Sequence, residues 1–354
     1  MTILGVSWAN CQLLIAICFP TITCVVSSPP TLLDKKRVTQ FRRRVLRWFD
    51  REKRSLPWRG TRDPYLILVS EVMLQQTRVA VVLDRYQKFI AQFPTVERLA
   101  RAREQTVLAA WSGLGYYRRA RALHAAARDI RRAGSFPSSA AELAQLPGIG
   151  RYTAAAVASI AFNEPVAVVD GNVKRVLERL MGPPDPTQHP PGSSDGRFWQ
   201  IAEKLLDRRR PGDFNQAIME LGALVCLPGR PQCQRCPVAS LCASRGPAAK
   251  SNRQPRRKAA LTYALIRQYR SVLLEQRPAG SRLMPGMWEL PALAGMLPAS
   301  LSPIMTLRHS ITSTDYVVQV FTVPSHKANG RWVRLENLER MALTGLTRKI
   351  LKRL

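Results

Sequence analysis

Acidic residues are scarce in this chain: 24 Asp and Glu stand against 54 Lys and Arg, a formal excess of +30 over 354 residues. An imbalance of that size predicts a polyanionic partner, and nucleic acid is the commonest candidate. A GC-rich genome that favours Arg and Ala codons would inflate the positive charge, but it does not require so few acids. Cysteine is equally scarce outside one segment. Four of the seven lie between Cys226 and Cys242, and the others are Cys11, Cys18 and Cys24. That clustering argues against a disulfide framework and for a metal site in a reducing compartment. Also missing is an unbroken apolar run of membrane-spanning length. Met1 to Leu33 is apolar, but Pro20 and polar residues interrupt it, and it has no basic start of the secretory kind. The segment closes on Ser27-Ser28-Pro29-Pro30 and differs in character from the basic, helix-patterned residues after it. We expect residues 1–37 to be a non-native or disordered extension from an initiation codon assigned too far upstream, with the protein proper starting near Val38.

What is present organises around Leu146-Pro147-Gly148-Ile149-Gly150-Arg151-Tyr152-Thr153, joined about twenty residues later by Val169-Asp170-Gly171-Asn172-Val173-Lys174. Helical segments are expected at Ala140 to Gln145 and Tyr152 to Ala161. Between them Pro147 ends the first helix and two glycines permit a tight turn with positive φ. Such a hairpin can press bare backbone N–H groups against a phosphate. Asp170 comes after an apolar run and precedes a new helix, so it reads either as an N-capping residue or as a carboxylate held towards a pocket.

Earlier in the chain, Val38 to Lys53 carries apolar residues at helical spacing. Leu56-Pro57-Trp58-Arg59 reads as a linker with an exposed aromatic, and Asp63-Pro64 as an N-cap with a first-turn proline. In the helix starting there, Glu71 is the one acid among strongly apolar neighbours. Such surroundings raise a carboxyl pKa and hold a proton near neutrality, as a general acid needs. Helical patterns continue over Val79 to Phe93 and Thr95 to Trp111. Gly113-Leu114-Gly115-Tyr116-Tyr117-Arg118-Arg119-Ala120-Arg121 then combines glycines, tyrosines and arginines, and reads equally as a stacking surface beside a phosphate backbone or as a helix junction with core tyrosines. Arg197 to Arg209 and Asp213 to Val225 are further helices.

The cysteines run Cys226-x6-Cys233-x2-Cys236-x5-Cys242 with Arg230 and Arg235 between them. Zinc and a 4Fe-4S cluster both suit four thiolates at this spacing. Residues 246–258 form a polar, basic linker. Beyond it the pattern turns to strands at Leu261 to Arg267, Ser271 to Glu275, Trp288 to Leu290, Tyr316 to Val323 and Trp332 to Leu335, with a last helix at Thr347 to Leu354.

Together these residues resemble the adenine DNA glycosylases of the MutY type, within the helix-hairpin-helix repair glycosylases. The resemblance is densest from Leu56 to Cys242. Its most specific strings are Leu56 to Arg59, Ser70 to Thr77, Gly113 to Tyr117, Leu146 to Gly150, Asp170 to Arg175, and the cysteine set. It implies a mostly α helix-hairpin-helix glycosylase domain with an iron–sulfur loop over residues 38–245, and a small α/β Nudix-like domain over residues 259–354. It also implies an activity: excision of adenine mispaired with 8-oxoguanine or guanine in double-stranded DNA, by a monomeric, cytoplasmic, nucleoid-associated bacterial enzyme with no membrane partner. The rival readings are an oxidised-pyrimidine glycosylase/lyase of the same fold and a non-catalytic iron–sulfur DNA-binding protein.

By the same resemblance Glu71 is the acid that protonates adenine, and Asp170 the carboxylate that stabilises the sugar cation. Tyr152 stands where the bifunctional relatives carry a Schiff-base lysine, so a monofunctional enzyme is expected. Arg59 approaches the lesion pocket, Leu74 and Gln76 probe the space near the opposing base, and Tyr116 wedges into the stack. Gly148 and Gly150 offer N–H groups to a phosphate, and Cys226, Cys233, Cys236 and Cys242 hold the 4Fe-4S cluster. The acidic Nudix box is absent, so nucleotide hydrolysis is not expected. The family's Phe-Ser-His lesion-reading turn is matched best by Ile311-Thr312-Ser313, where Thr312 keeps a hydroxyl and the histidine is missing.

Overall fold

A computed structural model describes residues 34–182, 194–246, 255–293, 301–311, 313–323 and 330–353. The extension before Val38 therefore lies almost wholly outside the described residues, as does Thr312. Helices dominate the first two-thirds of the chain: α1 (Lys35–Glu52), α2 (Pro64–Leu74), α3 (Val79–Gln92), α4 (Val96–Arg101), α5 (Glu104–Ala110), α6 (Arg118–Ala133), α7 (Ala140–Leu143), α8 (Arg151–Phe162), α9 (Gly171–Met181), α10 (Ser194–Leu205) and α11 (Pro211–Leu224). The local chemistry of their starts is legible. Asp63 caps α2 by accepting from Tyr65 N at 2.8 Å, with Pro64 in the first turn. Ser139 and Glu142 close a reciprocal capping box on α7.

Two apolar cores lie side by side and share α8. One gathers α2 to α7 with Ala154, Val157 and Ala158; the other gathers α1, α9, α10 and α11 with Ala155 and Ala156. Only small residues let both cores approach one helix, which is why α8 is alanine-rich. A Cβ on Gly212 of α11 would stand 2.6 Å from the Ser159 carbonyl oxygen, so the two helices meet backbone to backbone.

The C-terminal part carries β1 (Arg257–Leu265), β2 (Arg267–Gln268), β3 (Ser271–Gln276), β4 (Trp288–Glu289), β5 (Met305–Ile311), β6 (Thr314–Thr322), β7 (Arg331–Arg334) and α12 (Gly345–Leu351). One sheet runs β1-β6-β5, with β1 parallel and β5 antiparallel to β6; the other runs β2-β3-β4, with β7 also on β3. This sheet-containing unit has its own core, yet Met287 and Ala342 are buried in the first helical core. The two parts also meet through hydrogen bonds: Tyr117 donates to the Leu343 carbonyl and Arg121 to that of Pro285. Among the described residues, no helix is long and apolar enough to cross a membrane.

Several expectations need correction. Trp58 is not an exposed aromatic; it is 6% exposed and meets Tyr86 edge-on at 5.2 Å. Thr95 to Trp111 is not one helix, because Ala102 and Arg103 take extended backbone between α4 and α5. The apolar period survives that turn, since Leu99, Val107 and Leu108 all reach the core. Strand β1 begins inside the expected linker, its exposed start held only by pairing with β6. Strand β5 was not anticipated: it lies at a sheet edge and buries Leu307 alone, so it lacks an apolar alternation to read.

Candidate active site

Glu71 sits one turn before the end of α2 and is 6% exposed, which rules out an exposed helix face. Burial drives its pKa up to about 7; the negative charge of Asp170 adds to this, while the Tyr152 hydrogen bond and Arg59 oppose it. Tyr152, the second residue of α8, places its hydroxyl 2.7 Å from Glu71 Oε2 and 3.1 Å from the Met219 sulfur. A phenol has one proton to give. It donates to ionised Glu71; when Glu71 is protonated, it can accept from the acid and turn its own proton to the thioether. Burial, together with the Glu71 charge, raises the Tyr152 pKa well above that of a free phenol, so it stays neutral.

Asp170 takes the capping reading. It is the N-cap of α9, with Oδ1 accepting from Val173 N at 2.7 Å and Oδ2 from Asn172 Nδ2 at 3.0 Å. Burial raises its pKa, and those hydrogen bonds plus the Arg175 charge oppose the rise by favouring the carboxylate. The segment leading to it is fixed by Asn215, which donates to the Val166 carbonyl and accepts from Val168 N. The two carboxyl groups thus come from elements of the two different cores, and the Asp170 charge is felt by Glu71.

Arg59 is committed to an ion pair. Its guanidinium and that of Arg54 both grip Glu220, which is 1% exposed on its side chain, at 2.7 and 2.6 Å. Burial alone would raise the Glu220 pKa, but the hydrogen bonds from Arg54 and Arg59 outweigh it and hold the group at about 2. Glu220 escaped the sequence reading. Its signal was the one that marked Glu71, an acid inside an apolar helix.

In the hairpin, Gly148 takes φ +71°, and a Cβ there would strike Ala122 Cβ at 2.4 Å. Gly150 does not need positive φ, contrary to expectation; it is the N-cap of α8 at φ −84°, with no side-chain capping bond. The first N–H groups of α8 are thereby left without a side-chain acceptor. Leu74 is half-buried against the first core, whereas Gln76 and Tyr116 are exposed in left-handed backbone at φ +54° and +47°.

The four cysteines are free and partly buried, and Cys226, Cys236 and Cys242 pack against the second core. Arg179 donates to Cys226 Sγ at 3.1 Å, and Cys242 Sγ donates to the Arg179 carbonyl. The Nε and Nη2 atoms of Arg179 are buried with no hydrogen-bond partner. Among the described residues, no three His, Cys, Asp or Glu side chains gather tightly enough for a single metal ion.

Comparison with known proteins fits this geometry. The HhH-GPD superfamily base excision DNA repair protein model matches residues 69–191. A solved thermostable thymine-DNA glycosylase is 31% identical with a TM-score of 0.54, over 59% of this chain and 96% of that one. The chain belongs to the HhH-GPD superfamily. Adenine DNA glycosylases of Rattus norvegicus and Homo sapiens are 50% and 48% identical to it over 221 and 233 residues, covering 59% and 62% of this chain. In each case the match spans 42% of the mammalian protein. The superfamily match runs from α2 through the hairpin and Asp170, so it contains Glu71, Tyr152 and Asp170 together.

Proposed function

We propose that the chain is a monofunctional adenine DNA glycosylase that removes adenine opposite 8-oxoguanine or guanine. The observation that carries this reading is the buried Glu71, with a pKa near 7, set against Asp170, whose hydrogen bonds favour the ionised form. Adenine extruded from the duplex is a poor leaving group until protonated. Glu71 gives its proton to the base as the bond from the sugar C1′ to adenine breaks and the bonding pair leaves with adenine. Ionised Asp170 stabilises the sugar cation. Water then adds at C1′ and returns a proton to the Glu71 carboxylate. This is the division of labour of paired-carboxyl glycosidases, one group kept protonated and one kept ionised.

Tyr152 supports hydrolysis without strand cleavage, because a phenol cannot form an iminium with the sugar. The exposed, left-handed Gln76 and Tyr116, together with the uncapped start of α8, suit an interface with double-stranded DNA. The large positive charge favours the same partner. The C-terminal sheet unit resembles a lesion-reading Nudix-like domain whose Phe-Ser-His motif is replaced in sequence by Ile311-Thr312-Ser313.

The cysteine set suits a 4Fe-4S cluster on Cys226, Cys233, Cys236 and Cys242. A 4Fe-4S cluster would be held by these four thiolates and would supply negative charge near the buried Arg179 Nε and Nη2 atoms, which have no hydrogen-bond partner. Its contribution is structural, holding the Arg230 and Arg235 loop. Purified protein is expected to be brown and to carry four iron atoms per chain, as counted in the cluster formula. Colourless protein with one bound zinc rejects the assignment.

Single-turnover cleavage of duplexes with adenine opposite 8-oxoguanine, guanine or thymine tests the whole reading. Adenine release with strand breaks only after alkali is expected. Breaks without alkali point to the glycosylase/lyase. Tight binding with no base release, in cluster-loaded protein, points to a non-catalytic binder.

A further inference from the structure

Arg118, Arg119 and Arg121 crowd the start of α6, and nothing in their local sequence separates them. The structure does. Arg118 is exposed and Arg121 pairs with Glu104 on the surface. Arg119 turns inwards between two loops. Its Nη1 donates to the carbonyls of Val72 at 2.9 Å, Met73 at 3.1 Å and Gln75. Its Nη2 donates to Thr77 Oγ1 at 3.0 Å and to the carbonyls of Leu114 at 3.1 Å and Gly115 at 3.3 Å. The guanidinium also lies 5.4 Å from the Tyr116 ring centre and 5.6 Å from that of Trp111.

Each half of the fork has a distinct consequence. The Val72 and Met73 carbonyls are among the last of α2, which have no partner inside the helix, and α2 ends at Gln75 without a glycine cap. A cation at that end satisfies them and complements the helix dipole. These carbonyls follow Glu71, whose own carboxyl is held by Tyr152, so the fork anchors the end of α2 and the loop after it rather than the acid. The other half ties the same turn to the loop before α6. Gln76 and Tyr116 are the two exposed, left-handed residues on those loops, one on each side of the fork. Left-handed backbone is unfavourable for both residue types and persists only where surroundings over-determine it. Arg119 bonds to both loops through its two terminal nitrogens, and the Thr77 hydroxyl adds one direct bond to the Leu114 carbonyl at 3.4 Å.

We propose that Arg119 is a positioning residue for base extrusion, holding Gln76 and Tyr116 as one preset wedge in fixed register with the end of α2. The proposal rests on the glycosylase reading above. A lysine keeps the charge but offers three donors from one nitrogen in place of a planar fork of two, so it cannot reproduce both halves of the contact.

The test is single-turnover adenine release by Arg119→Lys from two duplexes. One holds adenine opposite 8-oxoguanine; the other holds adenine opposite an abasic site, where no paired base opposes extrusion. Slowing by about a hundredfold on the paired duplex is expected, the scale of a misplacement of about 1 Å, with near-parental rates on the unpaired one. Equal slowing on both, or none on either, overturns the proposal. Should Arg119→Lys fail to fold, Thr77→Val removes one acceptor of the fork without changing side-chain volume, and the same paired-selective loss, smaller in size, is required of it. A parent chain that releases adenine from neither duplex refutes the glycosylase reading itself, whatever the variants do.

Discussion

Glu71→Gln and Asp170→Asn are each expected to remove adenine release while leaving duplex affinity close to that of the parent. Loss of a general acid costs about 10²–10⁴ in rate, and loss of a fixed charge facing a developing cation about 10²–10³. The two losses differ in their pH behaviour. Glu71 acts in its protonated form, so parental single-turnover rates fall as pH rises through about 7. Asp170 acts ionised, and its burial raises its pKa, so the rate also falls on the acid side. In Asp170→Asn the residual activity keeps the upper limb and loses the lower one. Glutamine at position 71 keeps an acceptor for the Tyr152 hydroxyl, so that contact survives the substitution. Binding measured by anisotropy on the 8-oxoguanine duplex, beside single-turnover release, separates the outcomes. Parental release by either variant overturns the assignment.

The two candidate carboxyls stood out because each breaks a local rule. Glu71 interrupts an apolar helix, and Asp170 stands between an apolar run and a helix start. Both signals lie within a few residues of sequence. The four thiols were legible for the same reason, by spacing alone. What escaped is long-range. Arg59 meets Glu220 across 161 residues, and no local pattern marks the two as partners. Arg119 is hidden in a run of arginines whose members differ only in what the fold brings to them. Trp58 was misjudged because its Leu-Pro-Trp-Arg context looks like a linker, while its burial depends on Tyr86 of α3. Strand β5 depends on pairing rather than on an apolar face, so its sequence carries little strand signal. In the helical part, amphipathic periods and caps set the elements correctly to within a few residues; the break between α4 and α5 was missed because both pieces bury the same face.

The two buried glutamates should respond to pH with opposite signs. Unfolded Glu71 ionises near 4.5 and folded Glu71 near 7. Between those values the unfolded chain has already released a proton that the folded chain keeps, so rising pH favours unfolding, and above about 7 the deficit is constant. At about 1.4 kcal/mol per pKa unit, Glu71→Gln gains up to about 3 kcal/mol at pH 8 and nothing below pH 4. Glu220 is the reverse: its folded pKa of about 2 lies below the unfolded value of 4.5, so its stabilisation is present above 4.5 and lost as pH falls towards 2. Glu220→Gln strands Arg54 and Arg59 at neutral pH. A loss of roughly 3 kcal/mol is expected, at the low end for a broken buried pair because Arg54 is one-third exposed and can recover water. Thermal melts of both variants at pH 8 should therefore move in opposite directions from the parent, by several degrees each. A lower Tm for Glu71→Gln at pH 8 would mean that folding does not raise the Glu71 pKa, and its role as proton donor near neutrality would fall with it. A gain would show that the chain gives up folding stability at this position to hold the pKa up, the trade expected where an active site is held against its own solvation preference.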